Sequence, residues 1–272
     1  MTDHPTTAPA LGRLLLIPNT LDLGCIPEGQ PAPDLREVLP MGVLHAAAGL
    51  KHWIAENAKS TRAFLKRVDA VVPLACALQE HNIQVLPRPD KGRPDRATPA
   101  AETEKAMNAL LAPAMAGHDV GLISEAGLPA VADPGSAVVL AAHRLGITVL
   151  PMSGPSSLML ALASSGLQGQ SFAFVGYLPV DAAERTKRIR DLEQASARQQ
   201  QTQLVIETPY RNQALLQALL GGLQPHTLLS VGCGLTLSNG WSRTDTVAGW
   251  RQQTPALPND IPAVFSWLAR SS

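Results

Sequence analysis

The sequence predicts an α/β protein built from two α/β domains, and three observations carry that reading. Short apolar runs such as RLLLIP, DVGLIS, ITVLPM and QLVIE alternate with stretches of helical spacing, the rhythm of strand–helix–strand units in a parallel sheet. Loops rich in glycine and proline close several of those runs and open the helix that follows. The chain has 272 residues, enough for two modest α/β domains or one large one, and 45 % of them are hydrophobic, enough for a core.

Taken in order, RLLLIP from Arg13 to Pro18 reads as a buried first strand, followed by an irregular stretch to Asp34. MGVLHAAA reads as strand-like, and STRAFLKRV as a helix with Ser60 as its N-cap. NIQVLPRP is a strand, RPDKGRPDRATP from Arg88 to Pro99 an exposed loop, and AAETEKAMNALLAPAMAGH has helical spacing. After the strand DVGLIS comes the loop Glu125–Asp133. Asp133-Pro134 forms a helix start, with an acceptor at the N-cap and proline at the first position, and Gly146 supplies the left-handed end.

ITVLPM is the next strand, and SGPSS repeats the device: Ser153 or Gly154 caps, with Pro155 at the first helical position of SLMLALASSG. The second half continues with the strand SFAFVGYLP, a long charged helix from Asp181, the strand QLVIE and the helix PYRNQALLQALLGG. TLLSVGCGLT, a turn at Asn239-Gly240 and the strand IPAVFSWLA complete it. The domain boundary falls after Met152, giving domains 1–152 and 153–272, and there is no internal repeat.

Composition narrows the function. The formal net charge is +0, so no global basic field draws the chain to nucleic acid, and any such role rests on local patches. Two exist: Arg88, Lys91, Arg93 and Arg96 in the proline-rich loop, and Arg185, Lys187, Arg188 and Arg190 on the charged helix, both with acids mixed in. Aromatic residues are 4 % of the chain, a thin supply for base stacking. Cys25, Cys76 and Cys233 lack paired spacing, which argues against a disulfide scaffold or zinc knuckle and fits a reducing cytoplasm. The N-terminal stretch has no basic leader, and no apolar run is long enough to span a bilayer, so a cytoplasmic protein with no membrane role is expected.

Motifs exclude further classes. There is no G-x-x-x-x-G-K-[ST], no G-x-G-x-x-G and no G-x-S-x-G. The seven histidines form no metal-ligand set, so no metal is expected. What remains is a repeated design: Glu125–Asp133, Ser153–Ser156 and Glu207–Tyr210 each end an apolar run, carry glycine or proline, and open a helix. In open α/β sheets ligands sit beyond the carboxyl ends of strands, where small residues let backbone groups approach closely.

The segments ISEAGLPAVADPG, LPMSGPSSLMLALASSGL, FAFVGYLP and VIETPYRN resemble the tetrapyrrole methylase superfamily of S-adenosylmethionine-dependent methyltransferases. Within it they are most similar to the ribosomal RNA small subunit methyltransferase I group. AENAKSTRAFL, upstream, is similar to that group's Ala-Glu-Asp-Thr-Arg segment. The resemblance implies two α/β domains with the cofactor folded into a cleft between them, and a homodimer. It further implies a cofactor site lined by Pro18, by Glu125, Gly127, Leu128, Pro129, Ala130 and Val131, by Ser153, Gly154, Ser156 and Ser157, and by Tyr177, Tyr210 and Pro262. Departures fall at Pro18-Asn19-Thr20-Leu21, at Glu125 and Leu128, at Asn57, at Tyr210 in place of a histidine, and at RPDKGRPDRATP in place of a histidine-rich segment. They bear on the acceptor more than on the fold or cofactor.

Methyl transfer from a sulfonium needs alignment more than metal or covalent catalysis. A hydroxyl acceptor adds the need for a proton acceptor, and Glu125 and Glu207 are the carboxylates at strand ends. Either residue equally suits a structural role, Glu207 by pairing with Arg211, while Asp133 reads as a helix cap. Tyr210 and Arg211 suit either ordering of an acceptor or a helix-start ion pair. The resemblance implies ribosomal RNA, or the small ribosomal subunit, as acceptor. A small molecule such as a tetrapyrrole, a peptide, or cofactor binding without turnover are the alternatives.

Overall fold

A computed structural model describes residues 10–22, 24–26, 29, 32–87 and 100–269. The chain divides into two compact units, one of residues 1–20 and 33–155, the other of 21–32 and 156–272. The division after Pro155 lies within three residues of the one expected after Met152, and residues 21–32 group with the second unit.

In the first unit the elements are β1 (Arg13–Leu16), α1 (Met41–Gly49), β2 (His52–Ala55), α2 (Ala58–Asp69), β3 (Asn82–Val85), α3 (Ala100–Leu110), α4 (Ala112–Met115), β4 (Val120–Ile123), α5 (Ser136–Arg144) and β5 (Thr148–Pro151). The strands form one sheet in the order β3-β2-β4-β1-β5, every pairing parallel. Two-residue alternation sorts the core. Leu15, Ile17, Trp53 and Ile123 face one side with Val43 and Leu44 of α1 and Phe64 and Leu65 of α2. Leu14, Ile54, Val120 and Leu122 face the other, with Met107 and Leu110 of α3 and Val138 and Ala142 of α5. Both faces are covered, so the strands read as continuous apolar runs.

The second unit contains α6 (Ser157–Ser165), β6 (Phe172–Phe174), α7 (Ala182–Gln199), β7 (Thr202–Ile206), α8 (Asn212–Gly222), β8 (Leu228–Cys233), β9 (Trp241–Thr246), α9 (Val247–Gln252) and β10 (Ala263–Leu268). Its sheet runs β6-β7-β10-β8-β9 and is mixed: only β6 and β7 are parallel. The larger core packs Ile189 and Leu192 of α7, Leu215, Leu216 and Leu219 of α8 and Trp250 of α9 on Val205, Val231, Phe265 and Trp267. On the opposite face α6 lays Leu158, Ala161 and Leu162 on Leu204 and Val264.

Several expectations are corrected. MGVLHAAA is helix α1, because Val43, Leu44, Ala47 and Ala48 recur at helical spacing and are all buried, and alanine favours helix. The strand in that region is HWIA instead. Asn57, not Ser60, caps α2, its side chain accepting from the Lys59 and Ser60 N–H groups. α5 begins at Ser136 behind Gly135, so Asp133 is not its cap. α6 starts at Ser157 with Ser156 at the N-cap, so neither Ser153 nor Gly154 caps it and Pro155 is not its first residue. The loop cluster Arg88, Lys91, Arg93 and Arg96 lies outside the described residues. Among the described residues no helix is long and apolar enough to cross a membrane.

Candidate functional site

Because every pairing in the first unit is parallel, the segments leaving β2, β4, β1 and β5 emerge at one edge of the sheet. Asn19, just past β1, organises that edge. Its Nδ2 donates to the carbonyls of Ser124 (3.2 Å) and Glu125 (3.0 Å), and its Oδ1 accepts from the Thr20 N–H (2.9 Å). Its backbone forms an isolated bridge with Gly127, donating to that carbonyl at 2.9 Å. The loop after β4 is thereby fastened across the end of β1. Sequence reading placed Asn19 only among the departures from the family pattern.

The loop itself is strained. Gly127, Ala130 and Ala132 have φ of 67°, 66° and 65°, and Gly135 has 135°. Alanine in the left-handed region costs roughly 1–2 kcal/mol, a cost that surrounding structure must hold in place. Pro129 is buried, Glu125, Leu128 and Ala130 are half-buried and Val131 is exposed, so the loop turns backbone and side chains toward solvent and interior alternately.

Carboxylates gather at this edge. The Glu125 N–H donates to Oε2 of Glu56 at 3.1 Å, which brings a second carboxylate to the loop. The Asp133 carboxyl is pushed up to about 7, first by burial and then by the negative charges of Glu56 and Glu125. Among the described residues, no ion pair involves any of these three. The Ser124 hydroxyl is buried beside them without a hydrogen-bond partner. Three acids that pair with no cation among the described residues, beside an idle hydroxyl, favour a ligand that brings positive charge and a hydrogen-bonding group, although Arg67 is close by and donates from Nη1 to the Thr20 hydroxyl at 3.3 Å. Glu56 and Asp133 were not read as site residues. The only signal was position, immediately after β2 and inside the loop after β4.

After β5, Ser153 is exposed, and Gly154 passes against the Pro18 ring so closely that a Cβ there would lie 2.3 Å from the Pro18 Cβ. Glycine at 154 is therefore demanded by Pro18 itself, whatever a ligand requires.

The remaining expected residues belong to the second unit. Ser156 is the buried N-cap of α6 and Ser157 its first residue. Tyr177 and Tyr210 are 58 % and 72 % exposed on the segments that leave the same end of the parallel pair β6 and β7. Pro262 immediately precedes β10, antiparallel to β7, and its carbonyl accepts from the Gly234 N–H at 3.0 Å. The neighbouring Ile261 carbonyl is held by Asn212 Nδ2 at 3.1 Å.

The two candidate proton acceptors differ. Glu207 is buried and engaged on both oxygens, Oε1 by the Thr208 N–H (2.9 Å) and hydroxyl (3.3 Å), and Oε2 by Arg211 at 3.2 Å. That geometry holds the turn into α8. The half-buried Glu125 carboxylate has no such partners among the described residues. Among the described residues no group of three or more His, Cys, Asp or Glu is arranged to hold a metal ion.

Residues 58–240, which carry the loop after β4 and the segments after β5, β6 and β7, match the family described as tetrapyrrole (corrin/porphyrin) methylases. The chain belongs to that family. Among its relatives, a ribosomal RNA small subunit methyltransferase I of Mesorhizobium japonicum is 37 % identical over 138 residues, 51 % of this chain and 46 % of that protein. One of the same description from Pseudomonas aeruginosa is 42 % identical over 103 residues, 38 % of this chain and 34 % of that protein. The matched stretches span less than half the length of either methylase.

Solved structures agree on the methylase fold. The methyltransferase CobJ superposes with a TM-score of 0.52 at 16 % identity, over 94 % of this chain and 93 % of its own. The native form of uroporphyrin III C-methyl transferase from Thermus thermophilus gives 0.51 at 17 %, over 94 % and 97 %.

Proposed function

We propose that this methylase-family protein is an S-adenosylmethionine-dependent methyltransferase that acts on RNA, transferring to a ribose 2′-hydroxyl of the small ribosomal subunit's RNA. The observation that carries the cofactor is the strained loop after β4, fastened by Asn19 and edged by Glu56, Glu125 and Asp133, which form no ion pair among the described residues. The carboxylates and the idle Ser124 hydroxyl fit a ligand bearing a sulfonium and an ammonium group. The residues of the first unit that would hold it are Pro18, the Glu125–Val131 loop and Gly154. When bound, the donor supplies an electrophilic methyl group.

The chain's own residues contribute position and one proton acceptor. Asn19 fixes the loop backbone, so its carbonyls and amides meet a ligand without reorganising. We assign Glu125 to take the proton that an acceptor hydroxyl gives up; no hydrogen bond or ion pair engages its carboxylate among the described residues. Glu207 keeps the β7–α8 turn in shape. The names of the relatives support RNA as acceptor, and the family's description keeps a tetrapyrrole as the second reading. A cytoplasmic homodimer accompanies the proposal, supported by the resemblance and by the dispersed cysteines.

The deciding experiment supplies methyl-tritiated donor with intact small ribosomal subunits or with a tetrapyrrole mixture. Label confined to ribosomal RNA is the expected outcome. Label confined to a tetrapyrrole replaces the RNA reading. Absence of donor binding by calorimetry removes both.

A further inference from the structure

The chain has only two tyrosines, and both stand in water at the same end of one parallel strand pair. Most other large aromatics are more covered: Trp53, Trp250, Trp267, Phe64 and Phe265 are buried, Phe174 and Trp241 are half-buried, and Phe172 is 39 % exposed. Tyr177 follows Gly176, the last residue of the β6 segment to pair, whose carbonyl accepts from the Ile206 N–H at 3.2 Å. Tyr210 lies four positions past Ile206, in the 3-10 turn Pro209–Arg211 between β7 and α8. Val180, on the Tyr177 segment, is 73 % exposed. A ring carries a large apolar face that folding ordinarily buries, and a phenol suits a site where that face is covered while its hydroxyl stays wet.

The Tyr177 segment is braced. Arg185, in the first turn of α7, donates from Nη1 to the Val180 carbonyl at 3.0 Å and lies 3.5 Å from that of Pro179. Leu178 is buried between the exposed side chains and anchors the segment to the core. One turn further, Lys187 and Arg188 are exposed and take part in no ion pair among the described residues. The nearby acid Asp181 is occupied capping α7, accepting from Ala183 and Glu184. Two aromatic faces on a braced rim, with unpaired cations on the adjoining helix, match a partner with flat rings joined by anionic links.

Resting on the RNA reading above, we propose that Tyr177 and Tyr210 form a stacking platform for unpaired bases of the acceptor RNA, with Lys187 and Arg188 meeting its phosphates. Duplex RNA keeps its bases stacked inside and presents none to such rings, so the platform selects single-stranded or looped RNA. The chain's net charge of +0 fits this arrangement, in which attraction comes from one local group of cations.

The test measures fluorescence anisotropy of labelled oligoadenylate, and of its duplex with oligouridylate, with the full chain, alongside calorimetry of the donor. Tyr177→Ala and Tyr210→Ala should each weaken single-strand binding about tenfold, while Tyr→Phe at either position preserves it. Lys187→Gln with Arg188→Gln should flatten the salt dependence by about one unit of slope per residue. Donor affinity should stay within twofold, about 0.4 kcal/mol. Alanine variants that bind single-stranded RNA like the parent overturn the platform. Selective loss of donor affinity overturns it too, assigning the rings to the cofactor. If the parent still labels ribosomal RNA in either case, the RNA reading stands. Failure of the parent to bind or label any RNA overturns both.

Discussion

Asn19 holds the carbonyl of Glu125 with its side chain, Nδ2 to oxygen at 3.0 Å, and the next backbone carbonyl upstream, Ser124, at 3.2 Å. One buried amide side chain thus sets the path of a strained loop that lies more than a hundred residues away in sequence. The arrangement makes Asn19 the pivot of the edge where β1 and β4 end.

Replacing Asn19 with alanine should therefore cost more than a surface change. It removes two donated bonds and the acceptor of the buried Thr20 N–H, each worth about 1 kcal/mol, so a loss of about 2–3 kcal/mol is expected in urea unfolding. Donor affinity measured by calorimetry should fall in the same variant. A stable variant with unchanged donor binding would remove Asn19 from the argument.

Asp133 makes a pH-dependent prediction. Its folded value, about 7, lies above the ordinary 3.8, so the folded state holds its proton more tightly than the unfolded chain does. Its contribution is complete below about pH 4 and is lost as pH rises through about 7. Asp133→Asn should flatten that decline between about pH 4 and pH 7 in urea midpoints. Equal slopes in parent and variant would contradict the burial beside Glu56 and Glu125.

Gly154→Ala tests packing rather than ligand contact. The added Cβ would meet the rigid Pro18 ring at 2.3 Å, so something must move. An overpacking cost of about 1–3 kcal/mol is expected, read as a lowered melting temperature in the protein alone. An unchanged melting temperature would show that the turn relaxes freely.

The two carboxylates at strand ends should separate in a transfer assay. Glu125→Gln should lower the methyl-transfer rate about 100-fold or more at saturating donor. Glu207→Gln leaves an amide oxygen to accept from Thr208 and should alter stability more than rate. A rate loss confined to Glu207→Gln would exchange their roles.

Much of this architecture is legible from residue patterns. DVGLIS, ITVLPM and QLVIE are apolar on both faces and sit between clear helices, so period and punctuation agree. MGVLHAAAG misleads because alanine and small apolar residues fit either state until it is known which of them share a buried face. HWIA escapes notice because four residues between two helices leave no alternation to count. The Asp133-Pro134 start fails because Ala130, Ala132 and Gly135 hold positive φ, a choice made by tertiary contacts and invisible to local propensity. At the ligand edge, glycine and proline positions announce the loop. The role of Asn19 depends on a long-range partner that no local pattern names.

The central place of β10 in the second sheet has a consequence for how the protein is made. Residues 263–268 sit between β7 and β8, with hydrogen-bonded neighbours on either side, yet they are translated after every other strand. Until they leave the ribosome, β6-β7 and β8-β9 are two separate ribbons with open edges. The parallel sheet of the first unit carries no such dependence, since its last strand, β5, ends at Pro151. Assembly on the ribosome should accordingly begin with the amino-terminal sheet, and a stop codon before Ala263 should leave the other as an aggregation-prone fragment.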